Sequence, residues 1–250
     1  MIEFRDPPQD NHLKIHRLKL RLSNAYLIAG EPPVLVDSGS PKETAAIRSQ
    51  LRRFHVEFSD LALIIHTHVH SDHMGNTAEI IAEAGCPVAY HPADQELADR
   101  SNNGPLKGIG LRGRVMSRFL SNAKFDAVPA DIPLYDGMSL DEFGIEATIM
   151  ETPGHTPGSV SVLFPDGDAI VGDILMGGIM GGALLSSKPN FHYFADNIQQ
   201  AMNSLDRLLS RTSRNLYVGH GGPLAHEDII AWRQHDGIAE ASVMQAPVSE

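Results

Sequence analysis

Leu61-Ala-Leu-Ile-Ile65, followed at once by His66-Thr-His68-Val-His70-Ser-Asp72-His73, decides how this chain is read. The first half is a short apolar run of the kind that forms a fully buried strand. The second half packs three imidazoles and a carboxylate, at 68, 70, 72 and 73, into six residues. His68 and His70 are two apart, so if strand geometry persists both rings point one way and can share an ion. Asp72 and His73 then fold back to present a second set of donors, and Gly75 fits a close turn behind them. A solvated loop has no use for such a cluster, whereas a metal site needs it.

Working outward, three more donors fall at strand ends or in the loops after them. His155 lies in Thr152-Pro-Gly-His155-Thr-Pro-Gly158, Asp173 closes Ile170-Val-Gly-Asp173, and His220 sits in Leu216-Tyr-Val-Gly-His220-Gly221. Alone, none of them would count for much; beside the compact run they complete a set. His68, His70, Asp72, His73, His155, Asp173 and His220 supply five imidazoles and two carboxylates, enough for two transition-metal ions. This donor set suits Zn²⁺, and iron or manganese acceptably. His66 alternates with His68 but precedes the run on the strand, and is read as a non-ligand. The histidines at 12, 16, 55, 91, 192, 226 and 235 are also read as non-ligands, with His192 the one placed to line a pocket.

Bulk properties narrow the class. At 250 residues there is ample length for a real core, and the whole chain is expected to form one domain. A formal charge of −11 argues against a nucleic-acid partner, which wants a basic face. Cys86 is the single cysteine, so there is no intramolecular disulfide and no thiolate-rich site. The opening MIEFRDPPQD shows no signal-peptide pattern, and no stretch is long and apolar enough to span a bilayer. The expectation is a cytoplasmic protein with a small-molecule partner and neither nucleic acid nor membrane.

Patterning gives mixed strands and helices. Strands are predicted at 14–22, 25–29, 34–36, 61–65, 87–90, 145–151, 159–164, 168–171 and 216–218, and helices at 42–54, 76–84, 96–100, 111–120, 196–209 and 227–234. Residues 92–133 read as an insertion packing near the site. Gly177 to Phe194, rich in Gly and Met, reads as a mobile apolar wall, with Met176, His192 and Tyr193 as pocket residues.

The set HxHxDH, PGHTPG, GD and GHG, together with Val34-Leu-Val-Asp37-Ser-Gly39, resembles the metallo-β-lactamase-fold superfamily over nearly the whole chain. That resemblance implies an α/β fold, a four-layer αβ/βα sandwich with the site between its two sheets. It assigns His68, His70 and His155 to one metal, Asp72, His73 and His220 to the second, and Asp173 as the bridge. Asp37 would orient the ligand loop. The implied activity is binuclear zinc hydrolysis, in which a metal-bridging hydroxide attacks the carbonyl carbon of a small ester, lactone or thioester and Asp72 relays a proton.

Departures from subfamily patterns narrow the substrate. The β-lactamases carry Cys or Ser where Asp173 stands. Glyoxalase II-type thioesterases add a C-terminal helical region that the 30 residues after His220 are too few to form. Acyl-homoserine lactonases place Tyr where this chain has Met176, which leaves other lactones open. Nucleases of the family need a basic surface; a small phosphodiester remains open. The alternative from another class is a mononuclear iron persulfide dioxygenase, using the equivalents of His68 or His70, His155 and Asp173, although its Cys-Gly-Arg stretch is absent.

Overall fold

Alternation within single strands sorts this protein into layers. A computed structural model describes residues 14–235; MIEFRDPPQD, His12 and the residues beyond 235 lie outside that range. The first sheet runs β1 (Lys14–Lys19), β2 (Asn24–Ala29), β3 (Val34–Val36), β4 (Leu63–Ile65), β5 (Val88–Tyr90) and β6 (Ile132–Pro133) in chain order. It is antiparallel through β3 and parallel from there on. β7 (Thr148–Glu151), β8 (Val160–Leu163) and β9 (Ala169–Gly172) start the second sheet. β10 (Met176–Ile179) and β11 (Leu184–Asn190) form a separate hairpin before β12 (Asn215–Val218) and β13 (Leu224–Ala225) complete it, in the order β13-β12-β9-β8-β7.

Val34 and Val36, Leu63 and Ile65, Ile149, Val162 and Ile170 point into one apolar cluster between the sheets. Their strand neighbours turn outward. Leu35 and Ile64 meet Ile47 and Leu51 of α1 (Thr44–Leu51) and Ile80 of α2 (Thr77–Ala84). Two short helices, α3 (Gln95–Arg100) and α4 (Gly110–Leu120), follow. On the second sheet, Ala169, Val171, Leu216 and Val218 meet Ala201, Met202, Leu205 and Leu208 of α5 (Ile198–Leu209) and Ile229 of α6 (His226–His235). The result is an αβ/βα sandwich. Full burial of each such aliphatic side chain contributes roughly 1.5–3 kcal/mol.

Several elements differ from their sequence reading. The helix predicted over 42–54 is α1 with a tighter 3₁₀ turn at Arg52–Phe54, because Lys42 (φ 72°) and His55 (φ 60°) leave the helical region. The strand predicted over 14–22 stops at Lys19, before the turn into β2. Gly177 to Phe194, read as an apolar wall with no strand assigned, carries a hairpin: Gly residues at 178, 181 and 182, all at positive φ, let β10 and β11 pair antiparallel around a bulge. Stretch 92–133 carries α3 and α4 and ends in β6, which extends the first sheet. Among the described residues, no helix is long and apolar enough to cross a membrane.

Candidate metal centre

Each donor leaves its strand at the same end of the sandwich. β4 stops at Ile65, so His68 and His70 stand in an irregular turn and not on a continued strand. Their rings nevertheless converge, edge to face at 4.7 Å. Gly75 allows the turn: a Cβ there would sit 2.4 Å from the Pro41 nitrogen. Asp173 follows β9, and His220 follows β12, with Gly219 between them leaving no room for a side chain, since a Cβ would lie 2.0 Å from Asp173 Oδ1.

The donors meet around one atom. Asp173 Oδ2 lies 3.2 Å from His192 Nε2 and His220 Nε2, 3.4 Å from His73 Nε2, 3.6 Å from His155 Nε2 and 3.8 Å from His68 Nε2. His155 Nε2 also faces His70 Nδ1 at 3.1 Å. Two groups of potential ligand atoms contain the residues that the resemblance paired, His68, His70 and His155, and Asp72, His73 and His220; a third joins His68, His73 and Asp173 across them. The fourth is His155, Asp173 and His192. His192, read from sequence as a non-ligand, thus joins the donor cluster as well as lining the pocket. Its only sequence signal was an aromatic-rich context, and the hairpin before it is what turns it inward.

Neighbours orient most of these rings. Asp37, buried and at φ 61°, accepts from Thr67 N–H and Oγ1 at 2.9 and 2.8 Å, and its Oδ2 lies 2.8 Å from His73 Nδ1. His155 Nδ1 donates to the Phe194 carbonyl at 2.9 Å, and His220 Nδ1 to that of Leu22 at 2.8 Å. A ring nitrogen fixed in this way turns the other one toward the centre. His66 faces elsewhere, its Nε2 2.9 Å from Thr77 Oγ1.

Asp94 escaped sequence reading. Fully buried, it accepts from Val69 N–H at 3.0 Å, Thr156 Oγ1 at 2.8 Å and Gly158 N–H at 2.7 Å. It therefore ties the loop of His68 and His70 to the loop of His155. An acid two residues after a proline and before a helix resembles an ordinary cap, so no local pattern marks it. Asn103 does similar work, accepting from Ser71 N–H at 2.6 Å.

Electrostatics fit a cation. Burial lowers His70 and His155 to about 4 and His192 to about 3, and pushes His68 well below its usual range, leaving neutral imidazoles with a free lone pair. Burial alone would also lower His73 and His220. The carboxylates of Asp173 and Asp37 hold His73 well above its usual value instead, and those of Asp173 and Asp72 raise His220 to about 10. Burial opposes ionisation of Asp72 and Asp173, but the surrounding imidazoles hold both below the usual carboxylate range. Among the described residues, Nε2 of His68, His73 and His220 and Asp173 Oδ1 are buried without a hydrogen-bond partner. Such groups are costly unless something binds them. Metal coordination would satisfy them.

A cavity of about 280 Å³ opens on this cluster. Met176, His192 and Tyr193 line it, with Leu106, Met116 and Phe194. Asp72 is the most accessible donor there, its side chain 24% exposed and 3.4 Å from His220 Nε2. Tyr193 Oη accepts from Met180 N–H at 2.8 Å and so links the wall to the hairpin.

Comparison with known proteins agrees with this geometry. The family model described as the metallo-beta-lactamase superfamily matches residues 18–220. The probable metallo-hydrolase MJ0888 of Methanocaldococcus jannaschii is 30% identical over 203 residues, covering 80% of this chain and 87% of its own. The probable metallo-hydrolase YflN of Bacillus subtilis is 28% identical over 232 residues, 84% of each chain. Among solved structures, TTHA1623 in a di-iron-bound form superposes with a TM-score of 0.61 at 27% identity, over 87% of this chain and 97% of that one.

Proposed function

The chain belongs to the metallo-beta-lactamase superfamily, and on that premise we propose that it is a binuclear metal-dependent hydrolase of small esters, lactones or thioesters. One observation carries this reading: five imidazole nitrogens stand within 3.8 Å of a single carboxylate oxygen, Asp173 Oδ2. His68, His70 and His155 would hold one ion, Asp72, His73 and His220 the other, with Asp173 between them. The donors suit zinc first and iron second, and the relative solved in a di-iron-bound form supports a pair of ions. When bound, the ions would supply Lewis acidity and lower the pKa of water to about 7.

The residues of the chain do the remainder. Leu106, Met116, Met176 and Phe194 form an apolar wall that seats the acyl or aromatic part of a substrate and excludes water. Asp72, facing the cavity, accepts a proton at its carboxylate and returns it to the departing oxygen or sulfur. Asp37 keeps His73 turned inward throughout. A mononuclear iron centre on His68 or His70, His155 and Asp173 would leave the inward nitrogens of His73 and His220 buried and unpartnered, which disfavours the oxidative alternative.

Elemental analysis of protein purified without added metal tests this reading, followed by a panel of lactones, aryl esters and thioesters. Close to two ions per chain and turnover of uncharged acyl substrates is the expected result. About one iron per chain with oxygen uptake on a persulfide would overturn it. Better turnover of charged thioesters than of acyl lactones and aryl esters would overturn the apolar-wall assignment.

A further inference from the structure

The mouth of the cavity is apolar and basic at once. Eight large hydrophobic side chains are exposed among the described residues: Leu22, Leu111, Val115, Phe119, Tyr135, Met180, Leu184 and Leu185. All but Tyr135 lie on three segments that also line the cavity: the β1–β2 turn, α4 and the β10–β11 hairpin. On α4, Met116 and Leu120 face the cavity, while Leu111, Val115 and Phe119 recur every four residues on the solvent side, with Leu111 and Phe119 each 80% exposed. At about 3.6 residues per turn, Arg112 and Arg118 flank this stripe on its two sides, and Arg114 lies beyond Arg118. All three arginines are exposed.

Charge divides the same way. Segments 14–29, 101–125 and 174–195 hold ten of the 20 Lys and Arg and none of the 31 Asp and Glu. The rest of the chain keeps ten cations and every acid. At physiological salt, charges beyond about 8 Å are largely screened. A surface meeting the mouth would therefore feel chiefly Arg21 and Lys124 of the lining and the exposed arginines of α4, against the partly exposed Asp72, and not the overall −11. Lys107 is paired with Asp196 at 3.5 Å.

We propose that this face docks on an anionic lipid bilayer, with Leu111, Val115 and Phe119 entering the interface and Arg112, Arg114 and Arg118 meeting the headgroups. An apolar stripe bordered by arginines is the arrangement of a helix lying in a bilayer surface. A symmetric contact between two copies through α4 fits less well, because it would set the arginines of one copy against those of the other. This departs from the sequence expectation of no membrane partner, which rested on the lack of a spanning stretch. Lying on a bilayer needs none, and among the described residues no helix is long and apolar enough to span one. It goes beyond the hydrolytic reading and does not depend on it, since binding is measured without turnover.

The test is co-sedimentation of the full, metal-loaded chain at physiological salt with two kinds of vesicle. One is phosphatidylcholine alone, the other contains about one third phosphatidylglycerol. Binding only to the anionic vesicles is expected. Replacing Arg112, Arg114 and Arg118 by Gln should lower the partition coefficient on the order of 100-fold, the combined contribution of three surface cations. Leu111, Val115 and Phe119 to Ser should lower it by at least about tenfold, through lost apolar burial. Unchanged melting and metal content show that the exposed substitutions leave the fold intact. No sedimentation with either vesicle, or equal sedimentation with both, overturns the proposal. So does a two-chain mass at sedimentation equilibrium that the Ser variant reduces to one chain, which would make this face a self-association surface.

Discussion

The space between the two sheets is closed in two different ways, and three strands show the change within three residues. Ile65, Ile170 and Tyr217 pack against the apolar cluster, and His68, Asp173 and His220 stand three positions further along the same chain paths. The interior half is held by dry aliphatic contact. The outer half is a set of acids and imidazoles in which Nε2 of His68, His73 and His220 and Oδ1 of Asp173 lack partners. The difference teaches that the strands need no ion to pair, whereas the loops beyond them need one to satisfy their donors.

Substitutions on either side should separate the two regions. The largest effect is expected from Asp173→Asn, which weakens the donor shared by both halves of the cluster. On the proposed binuclear reading, ion content should fall from two per chain toward one and hydrolysis by roughly 10³-fold, with circular dichroism unchanged. Native-like activity in that variant would break the comparison. Three residues back, Ile170→Ala should do the reverse, lowering unfolding free energy in urea by about 2–5 kcal/mol while ion content stays the same. Asp37→Ala sits between the regions: it frees His73 and should weaken metal affinity by about 10–100-fold, read by competition with a chelating dye.

Subtler still is the pH response of chelator-treated protein. His220, raised to about 10, stabilises the ion-free fold fully below the unfolded value of about 6.5 and loses that contribution as pH climbs through 10. His70 and His155, lowered to about 4, act in the opposite sense, costing stability as pH falls from 6.5 toward 4. Ion-free stability in urea should therefore peak near neutrality and fall on both sides. Loading the ions should release on the order of two protons per chain near neutral pH, from His73 and His220, detected by calorimetry in buffers of different ionisation enthalpy. A flat profile and no proton release would mean that these two rings carry no extra protons.

Legibility in the sequence followed the same division. Donors in tight local patterns, from His68 to His73, could be read because several metal-binding residue types stood within a few positions. Strand cores were readable because Val34, Val36, Ile65 and Ile170 lie in short apolar runs. What stayed hidden depends on tertiary contact. Asp94 matters through backbone groups at 69 and 158 and a hydroxyl at 156, far from it in the chain. His192 reaches Asp173 because a bulged hairpin, built on glycines where no strand was predicted, redirects the chain.

Gly113 on α4 has a use for anyone reshaping the cavity. A Cβ there would sit 2.2 Å from the Tyr193 carbonyl, and Ile109 N–H donates to that same oxygen at 2.7 Å. Tyr193 in turn is tied to the hairpin through Met180. Helix, wall and hairpin are thus fastened in series, like links of one jaw. A side chain at 113 would strain against Tyr193, so directed-evolution libraries seeking new selectivity should keep glycine there and diversify both walls together.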